Sequence, residues 1–207
     1  MTKRLFLSSF FKDVANLFPA FAKEELKGKI VTFIPTAAVP EKVKFYVGAD
    51  RKALEKLGMT TDELDVSTAS RDEIYKKLQT NDYIFVSGGN TFFLLQELRR
   101  TGTDKIIVEE IGKGKIYIGA SAGSMILSQN IEYVKFMDNL KVAPDLNDDF
   151  SSLGVIDFCV VPHAENFPFK KAAEKIISTY GSQLKLYPIS NSQVVLAEDD
   201  WVEVKNG

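Results

Sequence analysis

Tyr117-Ile118-Gly119-Ala120-Ser121-Ala122-Gly123-Ser124 follows an apolar run and contains the pattern G-x-S-x-G. In a nucleophile elbow, this pattern forms a sharp turn between a strand and a helix and exposes the serine hydroxyl. Glycines on both sides of the serine allow a tight turn and a close approach of neighbouring segments. The stretch therefore predicts an α/β fold with Ser121 as a candidate nucleophile. A helix N-cap serine at a strand-to-helix junction is the alternative that the pattern leaves open.

The sequence contains one histidine, His163, in the segment V-V-P-H-A-E. A serine needs a nearby base to become a nucleophile at neutral pH, and histidine is the usual base. If the chain is a histidine-dependent serine hydrolase, His163 must be that base. A histidine buried in the core is the alternative. It is less favoured because His163 and Ser121 both follow buried apolar runs, which predicts that they lie at the same sheet edge.

Length and composition favour a single α/β domain over residues 1–207. The formal net charge of −2 argues against a general nucleic-acid binder. No apolar run approaches the length of a membrane span, so we expect no membrane association. Cys159 is the one cysteine and lies in an apolar run, which predicts a buried residue in a reducing, cytoplasmic compartment. One histidine and one cysteine cannot form a typical zinc site, so we expect no metal and no cofactor.

Short apolar runs alternate with amphipathic stretches along the chain. The predicted strands cover residues 4–8, 30–35, 64–66, 83–86, 116–119, 158–162, 193–197 and 201–204. The predicted helices cover about 13–26, 40–58, 71–79, 91–100, 125–127 and 168–180. Continuous apolar strands separated by helices indicate a mainly parallel sheet with helices on both faces. The last two strands are predicted to be antiparallel.

Three predicted strands are followed by segments whose residue types suit catalysis or binding: S-G-G-N, G-A-S-A-G and P-H-A-E. In parallel sheets, sites lie at the carboxyl ends of the strands, so we expect these segments to converge. Backbone N–H groups of Gly89 and Ala122 are the predicted oxyanion hole, and Gly88 and Asn90 are predicted to contact substrate. A structural or phosphate-binding turn is the alternative for the glycines, but their spacing does not match nucleotide-binding motifs.

The carboxylate that would orient His163 has three candidates. Glu165 lies two residues after His163, and residues two apart along a strand point the same way. Asp138 lies in the irregular acidic stretch after Ser121, and Glu198 lies between the last two predicted strands. The residues alone leave the choice among these three open.

The segments F-V-S-G-G-N-T-F-F-L-L, G-A-S-A-G-S and V-P-H together resemble peptidase E, the aspartyl dipeptidase, and its relatives, which include cyanophycinase. The resemblance covers most of the chain. It implies a flavodoxin-like fold similar to the class I glutamine amidotransferase domain, with serine in place of cysteine. It also implies a serine peptidase acting on short peptides, with Ser121 as nucleophile and His163 as base. The family's late glutamate matches Glu198, which is the favoured third member.

The segment after His163 departs from the family pattern. It is shorter than in peptidase E and lacks the arginine that would hold a substrate aspartate. Lys170 or Lys171 is the predicted substitute, but an ammonium lacks the bidentate geometry of a guanidinium. We therefore expect a weak preference for Asp-X peptides. A non-proteolytic esterase and a catalytically silent binding protein are the alternative functions, and a homodimer is the assembly that we consider.

Overall fold

The computed structural model describes residues 2–207 and shows a mainly parallel sheet flanked by helices. The strands are β1 Arg4–Ser8, β2 Ile30–Ile34, β3 Thr60–Glu63, β4 Tyr83–Val86, β5 Tyr117–Ala120, β6 Cys159–Val161, β7 Leu186–Pro188, β8 Gln193–Glu198 and β9 Trp201–Asn206. The helices are α1 Phe11–Val14, α2 Phe18–Ala22, α3 Phe45–Lys56, α4 Arg71–Thr80, α5 Thr91–Thr101, α6 Thr103–Gly112, α7 Ala122–Met125 and α8 Lys170–Tyr180.

The large sheet has the strand order β3-β2-β4-β5-β1-β8-β9. Its first five strands are parallel, whereas β8 runs antiparallel to β1 and β9 runs antiparallel to β8. Strands β4 and β5 are buried along their whole length, as expected for parallel strands covered on both faces. Two clusters of buried apolar residues pack against the sheet. The predicted α/β, flavodoxin-like fold class is confirmed.

Side-chain caps fix the start of two helices. Ser70 accepts a hydrogen bond from the Glu73 N–H at 3.2 Å, which confirms the predicted start of α4. Asn90 Oδ1 accepts from the Phe93 N–H at 3.0 Å and begins α5 directly after the S-G-G segment. Caps of this kind satisfy N–H groups that have no partner within the helix. The turn from β4 into α5 is thereby held in place beside β5.

Several predicted boundaries are wrong. The helix expected over 13–26 is broken into α1, one turn of 3₁₀ helix and α2, with Pro19 in the first turn of α2. The helix expected from Pro40 begins at Phe45, and Val43 is exposed. The third strand occupies Thr60–Glu63 rather than 64–66, and helix α6 was not predicted.

Strand β6 does not belong to the large sheet, which corrects the expected position of the strand before His163. It pairs in parallel with β7, and the register places Val161 opposite Pro188. Cys159 in β6 is buried, as predicted. This small sheet still lies against the end of β1, because the His163 N–H donates to Ser9 Oγ at 3.0 Å. Across residues 2–207, no helix combines the length and the apolar character needed to cross a membrane.

Candidate active site

Ser121 forms the sharp turn between β5 and α7. Its backbone has φ 49° and ψ −106°, a conformation that a residue with a side chain rarely adopts. The Ser121 N–H donates to the Ser8 carbonyl at 2.9 Å, and the Ser121 carbonyl accepts from Ser124 and Met125. Hydrogen bonds on both sides therefore hold the strained residue in place, and strain of this kind is typical of functional sites. The predicted elbow is confirmed.

Gly123 allows the elbow to pack against β4. A Cβ atom on Gly123 would lie 2.1 Å from the Val86 carbonyl oxygen, which is far inside van der Waals contact. The backbone of the turn and the backbone of β4 can therefore touch only because position 123 has no side chain. This contact fixes the height of Ser121 above the carboxyl ends of β4 and β5.

Ser121 and His163 are in direct contact. The distance from Ser121 Oγ to His163 Nε2 is 3.1 Å, within the range expected for a nucleophile and its base. His163 itself has φ 60°, and its ring stacks on Phe169 with 5.0 Å between ring centroids. The contact predicted between the single histidine and the elbow serine is present.

Asn191 occupies the position behind the histidine. Its Oδ1 lies 2.7 Å from His163 Nδ1. Since a carboxamide oxygen only accepts, it places the ring proton on Nδ1 and leaves the lone pair of Nε2 facing Ser121. Burial lowers the pKa of His163 below its ordinary value, and the hydrogen bond to Asn191 opposes that effect. His163 is therefore neutral at neutral pH and able to accept a proton.

The small sheet of β6 and β7 brings His163 and Asn191 together. Ile189 donates to the Val161 carbonyl, and Ala164 donates to the Ile189 carbonyl, each at 3.0 Å. These bonds continue the pairing past the ends of both strands, to the level of the two side chains. The Asn191 N–H also donates to Asn166 Oδ1 at 2.8 Å. Asn191 was not among the predicted site residues.

Glu198, the favoured third member, is far from the histidine. It pairs with Arg4 at 3.1 Å and with Lys23 at 3.1 Å, and these cations lower its pKa, Lys23 first. Because β8 is antiparallel to β1, its last residue lies beside Arg4 at the start of β1. Ser121 lies one residue beyond the other end of β1, roughly 16 Å away along the strand direction. The assignment of Glu198 is wrong for this reason.

The two other acidic candidates also do not contact His163. Asp138 Oδ2 accepts from the N–H and the hydroxyl of Thr91 at 2.7 and 2.6 Å, at the start of α5. Burial raises the pKa of Asp138 to about 6. Glu165 is exposed. Strand β6 ends at Val161, and the turn at His163 breaks the alternation that would place the side chains of residues 163 and 165 on the same side.

The predicted oxyanion donors are Gly89, in the loop between β4 and α5, and Ala122, the first residue of α7. Among residues 2–207, the N–H groups of Gly89 and Ala122 donate to no acceptor. Gly88 is close to the nucleophile, because a Cβ atom there would be 3.3 Å from Ser121 Cβ. Gly89 has φ 137° and contacts the backbone of Ala37 too closely for any side chain. A free donor in the loop before α5 and another at the start of α7 fit the predicted oxyanion hole, which stays a prediction.

A cavity of about 520 Å³ opens over Ser121 and His163. Gly88, Gly89 and Asn90 line it, as predicted for substrate contacts. The Asn90 amide also donates to the Asn139 carbonyl at 3.0 Å, so it joins two loops of the wall. Lys170 is exposed at the start of α8 and does not line the cavity, which corrects its predicted role. In the described part of the chain, no three His, Cys, Asp or Glu side chains are grouped to hold a metal ion.

Comparisons with known proteins agree with this site. The sequence model of peptidase family S51 matches residues 5–205. The uncharacterized peptidase Lin0382 of Listeria innocua is 54% identical over 203 residues, which cover 98% of this chain and 96% of that protein. Peptidase E of a Nostoc species is 28% identical over 172 residues, which cover 80% of this chain and 67% of that protein.

A solved structure shows the same fold. The 1.5 Å crystal structure of a provisionally named peptidase E from Listeria monocytogenes EGD-e superposes with a TM-score of 0.94 at 50% identity. The match covers 100% of this chain and 99% of the Listeria chain. Together with a family match over nearly the whole length and a serine–histidine pair on a strained elbow, these similarities show that the chain belongs to peptidase family S51.

Proposed function

We propose that this S51 peptidase hydrolyses short peptides with Ser121 as nucleophile, His163 as general base and Asn191 as the residue that orients the histidine. The observation that carries the proposal is the chain of contacts from Ser121 Oγ to His163 Nε2 at 3.1 Å and from His163 Nδ1 to Asn191 Oδ1 at 2.7 Å. An asparagine serves the same orienting purpose in papain-like cysteine proteases, which shows that a carboxylate is not required.

The geometry supports a two-stage reaction. Ser121 Oγ attacks the substrate carbonyl carbon while its proton moves to His163 Nε2, and the imidazolium keeps its other N–H on Asn191 Oδ1. The N–H groups of Gly89 and Ala122 stabilise the oxyanion. When the C–N bond breaks, His163 returns the proton to the leaving amine and an acyl-serine remains. Water then attacks the acyl-serine with His163 again as base, which releases the acid and restores Ser121.

The walls of the cavity disfavour an N-terminal aspartate. Within residues 2–207, the cavity lining includes no lysine and no arginine. A substrate aspartate would therefore find no cation among the lining residues to fix its carboxylate. Neutral first residues should be accepted at least as well as aspartate.

A panel of dipeptides with varied first residues tests this function. Wild-type protein should hydrolyse members of the panel, and Ser121→Ala should lose activity by several orders of magnitude, since removing a triad serine disables the whole unit. Unchanged far-ultraviolet circular dichroism would show that Ser121→Ala is folded. Hydrolysis by folded Ser121→Ala at the wild-type rate would exclude Ser121 as nucleophile.

We also propose a cytoplasmic location. The support is the cysteine content: Cys159 is the sole cysteine and is buried, so the fold relies on no internal disulfide. Fractionation of the native host, with activity measured in each fraction, tests this placement.

A further inference from the structure

The lining of the cavity above Ser121 contains three acids, Glu41, Asp50 and Asp138, and within residues 2–207 it contains no lysine and no arginine. The ammonium of Lys12 attracts Asp50, but its Nζ pairs with Asp13 at 2.5 Å and lies over the Phe10 ring. A cleft lined by acidic side chains favours a positively charged ligand.

Asp50 is the most deeply buried of the three acids, and its hydrogen bonding is incomplete. Its side chain is only 1% exposed, and Oδ1 accepts from the Lys12 N–H at 2.9 Å. Within residues 2–207, its second oxygen accepts no hydrogen bond, although the carboxyl group lines the cavity. Burial raises the pKa of Asp50 to about 8, which reflects how poorly the protein alone solvates the carboxylate. Asp138, in contrast, has two donors from Thr91.

A second unsatisfied group lies one helical turn away on α3. The Tyr46 hydroxyl is buried without a partner, and Tyr46 and Asp50 are four residues apart on the same helix face. Both residues line the cavity. Buried polar groups normally have partners, so the free oxygen of Asp50 at the cavity wall indicates that a ligand supplies what it lacks.

This face of α3 lies beside the nucleophile. A single point, the Cβ position of Gly88, is 3.3 Å from Ser121 Cβ and 3.7 Å from Tyr46 Cε2. His163 must hand its proton to the leaving amine, so the leaving residue occupies the side of the histidine. The residue that carries the attacked carbonyl then extends along Gly88 and Tyr46, towards Asp50.

We propose that Asp50 binds a cationic group on the residue that precedes the scissile bond, either its α-ammonium or the ammonium or guanidinium of a basic side chain. This inference rests on the proposed peptidase function and assigns its substrate class. If the cation is on the side chain, this charge preference is the opposite of that of a peptidase specific for N-terminal aspartate. On binding, the carboxyl proton of Asp50 is released to solvent, and the freed oxygen accepts the bond from the cation while the Lys12 N–H holds the other oxygen.

Four peptides separate the two sources of charge: lysyl-alanine, norleucyl-alanine and the Nα-acetylated form of each. Norleucine removes the side-chain ammonium of lysine, and acetylation removes the α-ammonium. The values of kcat/KM for wild type and for Asp50→Asn are compared for all four. Asn keeps an oxygen for the Lys12 N–H, so the fold should be preserved. Asp13→Asn is the matched control, because Asp13 is the neighbouring acid and lies outside the cavity lining.

Wild type should prefer the charged member of at least one pair, and Asp50→Asn should reduce that preference by about 30-fold, as expected when one partner of a buried charge pair is removed. Asp13→Asn should retain it. A preference lost on acetylation identifies the α-ammonium, and one lost with norleucine identifies the side chain. A wild type without any preference, or an Asp50→Asn variant that slows all four peptides equally, would overturn the inference.

The same set separates this inference from the proposed function. Hydrolysis of any of the four peptides by wild type, absent in Ser121→Ala, supports the serine peptidase whatever the charge preference. If wild type cleaves none of these four and none of the wider dipeptide panel, the proposed function fails, and the assignment of Asp50 fails with it.

Discussion

Asn191→Asp should move the pH dependence of catalysis to higher pH. The substitution places a negative charge beside the ring of His163, where the contacting atoms are 2.7 Å apart in the wild type. Charge centres about 4 Å apart interact by about 4 kcal/mol at an effective dielectric constant of about 20. That energy corresponds to an increase of about 3 in the pKa of the histidine. Burial of the new carboxylate offsets part of it, so we expect an increase of about 1–3.

The sign follows from the role of the histidine. Only neutral His163 can accept the serine proton, so kcat/KM rises with pH as the imidazolium loses its proton. Burial lowers the pKa of wild-type His163, which places this rise below the ordinary histidine range. In Asn191→Asp the midpoint should lie about 1–3 pH units higher. The variant should be slow in mild acid and regain its rate at alkaline pH.

The assay is kcat/KM for one readily cleaved dipeptide across the acidic, neutral and alkaline range. Asn166→Asp is the matched control, because Asn166 receives the Asn191 N–H and does not contact the ring. It makes the same chemical change one contact further away and should shift the midpoint less. An unchanged midpoint in Asn191→Asp, or an equal shift in Asn166→Asp, would refute the placement of Asn191 behind the histidine.

Three further changes test other parts of the structure. Gly123→Ala should lower the free energy of unfolding, measured by urea titration, by about 3 kcal/mol. The reason is that the new Cβ atom would lie 2.1 Å from the Val86 carbonyl oxygen. A variant as stable as the wild type would show that the elbow packs differently. Burial raises the pKa of Asp138 to about 6, so its protonated form is favoured in the folded state. Relative to Asp138→Asn, the wild type should therefore lose stability as pH rises from the unfolded pKa through about 6, and parallel stability curves would contradict this burial. Lys170→Ala should leave kcat/KM for Asp-Ala and Ala-Ala unchanged, with no strong preference for Asp-Ala; a preference for Asp-Ala that disappears in Lys170→Ala would restore Lys170 to the site.

Local sequence was enough to predict the turn at Ser121 and its contact with His163. The G-x-S-x-G pattern requires a tight strand-to-helix turn, and the glycine at position 123 is indeed needed for contact with β4. The single histidine left no other candidate base. Its predicted position at the edge of the large sheet was wrong, but the small sheet of β6 and β7 lies against the end of β1 and still brings His163 to Ser121.

The third residue of the site could not be found in the same way. Asn191 is neutral and follows a strand of three residues, Leu186–Pro188, which carries no apolar run to mark it. Its position depends on the pairing of β7 with β6, a contact between distant parts of the chain. Glu198 was misplaced because sequence did not show that β8 runs against β1 and takes its last residue to the wrong end of the sheet.

Errors in the helices have similar causes. Helix α6 contains the run I-I-V, whose β-branched residues favour strands, but packing on α4 and α5 makes it helical. The N-terminal helix was predicted as continuous, whereas Pro19 fits only a first turn and therefore begins a new helix. In α6, tertiary contacts override the strand preference of the sequence. At the N-terminus, the restricted backbone of Pro19 overrides the helical pattern.

Covalent labelling tests most directly whether Ser121 is the nucleophile. Wild-type protein is incubated with a fluorophosphonate, which reacts with activated serines, and the adduct is located by peptide mapping and mass spectrometry. We predict an adduct on the peptide that contains Ser121, formed in proportion to the loss of dipeptide hydrolysis and absent from Ser121→Ala. Hydrolysis that persists in fully labelled protein, or an inactivating adduct on a different serine, would contradict the assignment of Ser121 and His163 as the catalytic pair.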